Sequence, residues 1–301
     1  MKRFLSKPYR WAALYSILLA AAFTFVILDT FVIEKSFAGA VSASSSAVNG
    51  AAANAKAHAE VTDSSYDDGN IKITIETLRD HGSTVYIADI KVSDPSYLKT
   101  AFANGTYGRN IKETTSSMAE ENKAIFAING DYYGFRNYGY VLKNGVAYRS
   151  TARSSGDDET LVIDKKGNFS IINESETSLA SISSDWQVLS FGPALIEGGK
   201  IVVDSSSEVS ESMDSNPRTA IGQISKLHYI AVVSDGRTSE SKGLSLLELA
   251  RVFEDRGCNV AYNLDGGGST TMYFNGNIIN KPTEGNGISE RKVSDIVYFG
   301  Y

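Results

Sequence analysis

Apolar residues fall on every second position through Ile71, Ile73 and Ile75, and polar and apolar residues alternate again around Val85, Ile87 and Asp89. A repeat of two is the mark of a strand buried on one face, and His81-Gly82-Ser83 between the runs predicts an antiparallel hairpin. Shorter strand-like runs follow at Ala124 to Ile128, Leu161 to Ile163, Phe169 to Ile172, Val188 to Phe191, Leu227 to Val233, Val260 to Leu264, Thr271 to Phe274 and Ile296 to Phe299. Helical spacing is rarer. Leu246, Leu249, Ala250 and Phe253 share one face, Ser245 and Glu248 have capping-box spacing, and Gly257 suits the left-handed residue beyond the helix end, so a helix is predicted over Ser245 to Arg256. A second is predicted over Ile111 to Asn122. Many strands with few helices predict an α+β domain with a mixed, mostly antiparallel sheet and a few packed helices.

The first 35 residues break this pattern. Lys2, Arg3, Lys7 and Arg10 precede an apolar run from Trp11 to Leu28 that resumes, after Asp29 and Thr30, at Phe31 to Ile33. About 20 apolar residues span a bilayer, and basic residues stay inside, so residues 1–35 are expected to be a signal-anchor transmembrane helix with the rest of the chain outside the cytoplasm. Cleavage near Ser36, Ala38 and Ala40, giving a secreted protein, is the alternative. Residues 36–65 are mostly Ala, Ser and Asn and read as a linker, leaving 66–301 as the folded domain.

Composition removes several functions. A net charge of −6 offers no basic footprint for nucleic acid. Cys258 is the single cysteine, so no intramolecular disulfide forms, and its apolar neighbours predict a buried side chain. Export without disulfides suits a bacterial cell surface. His81 falls in a turn and His228 opens a strand, which leaves little for a histidine metal site or triad, whereas a divalent cation held by carboxylates stays open.

Three glycine-rich polar segments follow apolar strands, where sites are usually built. They are Asn129-Gly130-Asp131-Tyr132-Tyr133-Gly134, Asp235-Gly236-Arg237, and Asp265-Gly266-Gly267-Gly268-Ser269-Thr270. Three consecutive glycines exceed what a plain turn needs. The amides of Gly266, Gly267 and Gly268 with the hydroxyls of Ser269 and Thr270 are expected to form an anion nest beside Asp265, the competing reading being a simple hairpin. Arg218, which Thr219 follows, and Arg237 are candidates for bidentate phosphate contact. Asp131, Asp235 and Asp265 are candidate carboxylates for glycosidic cleavage, which ordinarily uses two. Tyr132, Tyr133 and Phe135 could stack on a sugar or belong to the core.

Taken in order, Asn129-Gly130-Asp131-Tyr132-Tyr133, Phe191-Gly192-Pro193-Ala194-Leu195, Arg218-Thr219-Ala220-Ile221-Gly222, Asp235-Gly236-Arg237, Gly243-Leu244-Ser245 and Asn263-Leu264-Asp265-Gly266-Gly267-Gly268-Ser269 resemble the phosphodiester glycosidase family across roughly residues 71–301. The resemblance implies hydrolysis of a sugar-1-phosphodiester at its glycosidic bond, releasing the sugar and a phosphomonoester, with Asn129 and Thr219 among the substrate contacts. It adds Arg291, in Ser289-Glu290-Arg291-Lys292, to the anion site. Asp131 stands where the family usually has a glycine. The implied partner is a phosphorylated glycan or glycolipid outside the membrane. The other readings are a non-catalytic carbohydrate-binding or envelope domain, and a metal-dependent phosphodiesterase.

Overall fold

The computed structural model describes residues 8–37, 59–154, 156, 158–204, 214–285 and 287–301. Three α-helices lie among them, Pro8–Phe31, Thr115–Glu121 and Leu246–Asp255. The α+β class holds, and every strand pairing among the described residues is antiparallel, so of the expected mixed sheet only the antiparallel part is seen.

Nine strands form the main sheet, with Val260–Leu264, Arg218–Ser225, His228–Ser234, Ser83–Val92 and Ile71–Asp80 at its centre in that order. A five-stranded sheet centred on Phe126–Asn129 and Asp295–Phe299 packs against it, and a further five-stranded sheet spans residues 141–189. The Ser83–Val92 strand shows how alternation builds the layers. Tyr86, Ala88 and Ile90 face the shared core with Phe126, Ile128, Val297 and Phe299, while Val85 and Ile87 face outward to Leu246, Leu249, Ala250 and Phe253 of the last helix. Each such fully buried large apolar side chain contributes roughly 1.5–3 kcal/mol. Thr115–Glu121 covers the second sheet through Met118 and Ala119 against Ala127, Ile296 and Tyr298. The order is therefore helix, sheet, sheet, helix.

Local chemistry sets the ends. Ser245 accepts from the Glu248 N–H at 3.2 Å and Glu248 returns a bond to the Ser245 N–H at 2.8 Å, the capping box, and Gly257 takes a φ of +70° at the other end. The other short helix is capped by Thr114, whose hydroxyl accepts from the Ser117 N–H, and starts four residues later than expected. Cys258 is buried, which pushes its thiol up to about 12.

The first helix does not stand apart from the domain. Asn110 Nδ2 donates to the carbonyls of Thr30 (3.2 Å) and Ile33 (3.0 Å), Arg109 Nη2 donates to Thr30 at 3.2 Å, and Lys35-Ser36 pair with Gly108-Arg109. Carbonyls at a helix C-terminus lack intrahelical partners, and these donors satisfy them. Strand pairing also begins before residue 66: Glu60–Val61 pairs with Ser65–Asp67, which pairs with Ile71–Asp80. Most of the expected linker, residues 38–58, lies outside the described residues, as do Lys2, Arg3 and Lys7 and the Ala38 and Ala40 of the alternative cleavage site.

Candidate active site

Antiparallel pairing gathers the polar loops at one end of the sheets. Val260–Leu264 delivers Asp265 there, and because Thr219 faces Leu264 and Arg218 faces Ser234, the start of one neighbour and the end of the next arrive at the same place. The second sheet joins them through Asn129. Its Nδ2 donates to the Asp265 carbonyl at 2.6 Å, and its Oδ1 accepts from Thr219 Oγ1 at 2.8 Å and from the Thr271 N–H at 3.2 Å. The Asp265 N–H donates to the Gly130 carbonyl at 3.2 Å. Asn129 and Thr219, expected to touch substrate, are fully buried and instead fasten the two sheets behind Asp265.

The Asp265 side chain is partly buried, and loss of water pushes its pKa up to about 6. A hydrogen bond from Ser269, the charge of Arg291, the Gly266 N–H and the charge of Arg136 oppose that rise. Tyr132 shares the neighbourhood. Burial first and the Asp265 charge second raise its phenol, Arg136 and Arg291 pull it down, and its ring is 40% exposed beside Phe135 at 4.7 Å. Tyr132 adopts a φ of +69°, an uncommon left-handed conformation for a bulky residue, which marks a constrained turn.

The three glycines have a different purpose from the one expected. The amides of Gly267, Ser269 and Thr270 donate to the carbonyls of Pro217, Gly266 and Gly267, closing a 3-10 turn, so the loop presents no open row of amides to an anion. Thr270 is buried, with its carbonyl accepting from Asn280 Nδ2 at 3.0 Å. What the missing side chains create is space. A Cβ on Gly266 would lie 2.8 Å from the Pro217 carbonyl, one on Gly267 2.9 Å from Arg237 Nη2, and one on Gly268 2.7 Å from Arg291 Nη2 and against the Glu284 carboxylate. Two guanidinium groups rest directly on the glycine backbone. Arg291 Nε also holds Glu284 Oε2 at 2.7 Å, on a hairpin of Thr283–Glu284 with Gly287–Ile288.

Three expected site residues are directed elsewhere. Arg218 is buried and donates through Nε to the Leu244 carbonyl (2.9 Å) and through Nη2 to the Asp214 carbonyl (3.0 Å), bonds that lock the adjoining loops. Asp235, raised above the ordinary carboxylate range mainly by burial, accepts from Tyr86 Oη at 3.0 Å and from the Lys281 N–H at 2.8 Å, anchoring the segment that leads to Glu284. Asp131 is fully buried, where it accepts from Lys143 Nζ at 3.1 Å, the Ser190 N–H at 3.0 Å and the Tyr133 N–H at 3.2 Å. Lys143 also bonds Asp295 at 2.8 Å. Burial opposes the Lys143 charge, but the two carboxylates more than offset it and hold its pKa above the usual value, while Asp295 is pushed up to about 6, chiefly by burial. Tyr133 is likewise buried, against Tyr107 and Phe102, rather than open to a sugar.

Asp265, Arg237 and Arg291 of the expected set therefore remain around the glycine turn, joined by two groups that sequence reasoning missed, Arg136 and Glu284. Arg136 directly follows the aromatic run ending at Phe135, and Glu284 lies between Thr283 and Gly285 seven residues before Arg291; polar residues at those spots were the available signals. Among the described residues no group of three or more His, Cys, Asp or Glu side chains has the arrangement of a metal site. The remaining cluster is a desolvated carboxylate bordered by cations, suited to a reaction in which one anionic group departs and a proton must be taken up.

Comparison with known proteins gives this arrangement a context. A model of the phosphodiester glycosidase family matches residues 122–300, more than half of the 301. An uncharacterized SPbeta prophage-derived protein of Bacillus subtilis, YomE, is 29% identical over 202 residues, covering 65% of this chain and 31% of its own length. The mouse N-acetylglucosamine-1-phosphodiester alpha-N-acetylglucosaminidase is 27% identical over 213 residues, covering 64% of this chain and 41% of its own. The chain thus spans less than half the length of these relatives. The catalytic domain of the zebrafish enzyme of the same name, auto-inhibited by its pro-peptide, superposes with a TM-score of 0.62 at 20% identity over 91% of this chain and 99% of that one, which shows a common fold.

Proposed function

Because this chain belongs to the phosphodiester glycosidase family, we propose that it hydrolyses the glycosidic bond of a sugar-1-phosphodiester on a surface glycan or glycolipid, releasing the sugar and a phosphomonoester. The observation that carries this reading is the Asp265 carboxylate, desolvated to a pKa of about 6 and flanked by Arg291 and Arg136.

In this reading Arg291 and Arg237, seated on Gly268 and Gly267, hold the phosphodiester. Asp265 faces the anomeric carbon as the general base. A water oxygen bonds to that carbon as its proton passes to Asp265, and the bond from the carbon to the bridging oxygen breaks with the electron pair left on the phosphate. A phosphate leaving group needs little protonation, so fixed guanidinium charge takes over the work that a general acid performs for an alcohol. Glu284 keeps Arg291 in place through their 2.7 Å contact.

The helix Pro8–Phe31 supports a position at a membrane. Its apolar stretch from Trp11 to Leu28 is exposed throughout, and at about 1.5 Å per residue the 24 residues of the helix reach the thickness of a bilayer core. With Lys2, Arg3, Lys7 and Arg10 on the inner side, the domain would lie outside the cytoplasm.

The direct test is release of free sugar from a panel of sugar-1-phosphodiesters by the wild-type chain and by Asp265→Asn. The expected result is turnover by the first and a loss of at least about a thousandfold in a folded second. Equal turnover by both would remove Asp265 from the reaction.

A further inference from the structure

A cavity of about 410 Å³ shares Arg136 with the surroundings of Asp265. Its walls include Tyr107, Tyr148, Arg109, Arg136 and Arg149, with the half-exposed Phe37 beside them. The Tyr107 and Tyr148 rings sit 4.9 Å apart, and Tyr107 is braced from behind by the buried Tyr133 at 5.5 Å and 16°. A cavity of a few hundred cubic ångströms with rigid aromatic walls has the size and surface for a sugar ring.

Charge is the more specific feature. Three guanidinium groups line the cavity, and no carboxylate does. Every bond that they make goes to a main-chain carbonyl: Arg149 to Gly139 (2.6 Å), Tyr133 (3.0 Å) and Arg136 (2.7 Å), Arg136 to Asp131 (2.9 Å) and Ser190, Arg109 to Thr30 (3.2 Å). None belongs to an ion pair among the described residues, and Arg109 Nε, Arg136 Nε and Arg149 Nη2 have no partner. Carbonyl dipoles orient a guanidinium without cancelling its charge. Burial already holds Arg149 below the usual arginine range. Asp265 faces Arg136 and the charges of Asp131 and Glu174 reach Arg149, but among the described residues no carboxylate contacts any of the three guanidiniums, and three such groups around one partly desolvated space favour the entry of an anion.

We propose that this cavity is a saccharide subsite separate from the reacting position, and that it takes a sugar unit bearing a phosphate or carboxylate group. The description as a second subsite rests on the proposed role of Asp265, but the binding itself requires no turnover, so the two can fail independently.

The test is calorimetric titration of the full chain with glucose 6-phosphate, glucuronate, glucose and inorganic phosphate. Arg149→Gln is the obvious variant, but its three carbonyl bonds make unfolding a danger. Ala147, an exposed residue on the cavity wall, offers a cleaner one, since Ala147→Glu adds a carboxylate without removing a contact. The expected result is binding of glucose 6-phosphate and glucuronate at least tenfold tighter than glucose or inorganic phosphate, a loss of at least tenfold in a folded Ala147→Glu, and retention within twofold in Asp265→Asn and Arg291→Gln. Equal affinity for charged and uncharged sugar, equal affinity for inorganic phosphate and glucose 6-phosphate, or unaltered binding in Ala147→Glu would each overturn the proposal. Binding that follows this pattern in a chain with no turnover of any phosphodiester would uphold the subsite and reject the proposed reaction.

Discussion

Gly268 and Arg291 are in such close contact that a single methyl group on the first would lie 2.7 Å from a guanidinium nitrogen of the second. Gly268 has no left-handed backbone to protect, so Gly268→Ala tests its contacts with Arg291 and with the Glu284 carboxylate, which lies closer still. The substitution is expected to displace Arg291 and Glu284 together, with a loss in kcat/KM of about 10- to 100-fold for a shift near 1 Å and little change in thermal midpoint. Steady-state kinetics beside a melting curve measure both. Unchanged kinetics would mean that Arg291 does not hold the substrate.

Asp265 gives the pH dependence its sign. As a base it must be ionised, and its pKa is pushed up to about 6, so kcat/KM is expected to rise through pH 6 and level off above it. Were Asp265 a proton donor, the profile would fall over the same range. The assignment is secured by following the Asp265 carboxyl resonance by NMR, with Asp265→Asn identifying the signal and separating it from that of Asp295, whose pKa burial also pushes up.

Removing the Lys143 side chain tests the buried ion triad. Lys143→Met leaves Asp131 and Asp295 without their shared cation, and breaking a buried pair in this way costs about 3–5 kcal/mol. Asp295, whose pKa burial already pushes up, would then lie further above its unfolded value. Its stabilising contribution is full below the unfolded pKa and lost as pH rises through the folded one, so the deficit should be smaller at pH 5 than at pH 8. Urea unfolding at the two pH values reads the difference, and a deficit that grows toward acid would show that the triad is wrongly described.

Asn129 is placed behind the reacting carboxylate, not against substrate. Asn129→Ala would strip partners from the Asp265 carbonyl, Thr219 Oγ1 and the Thr271 N–H, each worth about 1–3 kcal/mol if left buried and unpaired. The expected signature is lower stability and lower kcat with KM nearly unchanged, because Asp265 would shift while the arginines stay. A rise in KM alone would return Asn129 to the binding site.

Local rules explain what was legible beforehand. The capping box at Ser245 and Glu248, the hairpin around His81-Gly82 and the strand Val260–Leu264 depend on neighbours in sequence, and they were found where the pattern put them. The Asp265 loop was also visible, since three glycines in a row signal close approach. What approaches was not visible. In sequence, Asn129, Arg218 and Asp235 are polar residues at strand ends, as Arg237 is, and contacts across up to 149 positions decide that the first three are buried against the protein while Arg237, bonded to Asn216 Oδ1, stays exposed. Arg136 and Glu284 escaped for the same reason, having no short-range motif. Asp131, at the position where the family usually has glycine, is absorbed by Lys143 twelve residues on.

The clamp at Thr30 and Ile33 has one more result. Phe37 and Ala59 both lie on the domain, with Ala59 packed against the main core and Lys35-Ser36 already paired to Gly108-Arg109. Force passing from the apolar helix to the domain is therefore carried by the hydrogen bonds of Arg109 and Asn110. In the proposed membrane setting the stand-off from the bilayer would be a property of this joint, as in a bracket.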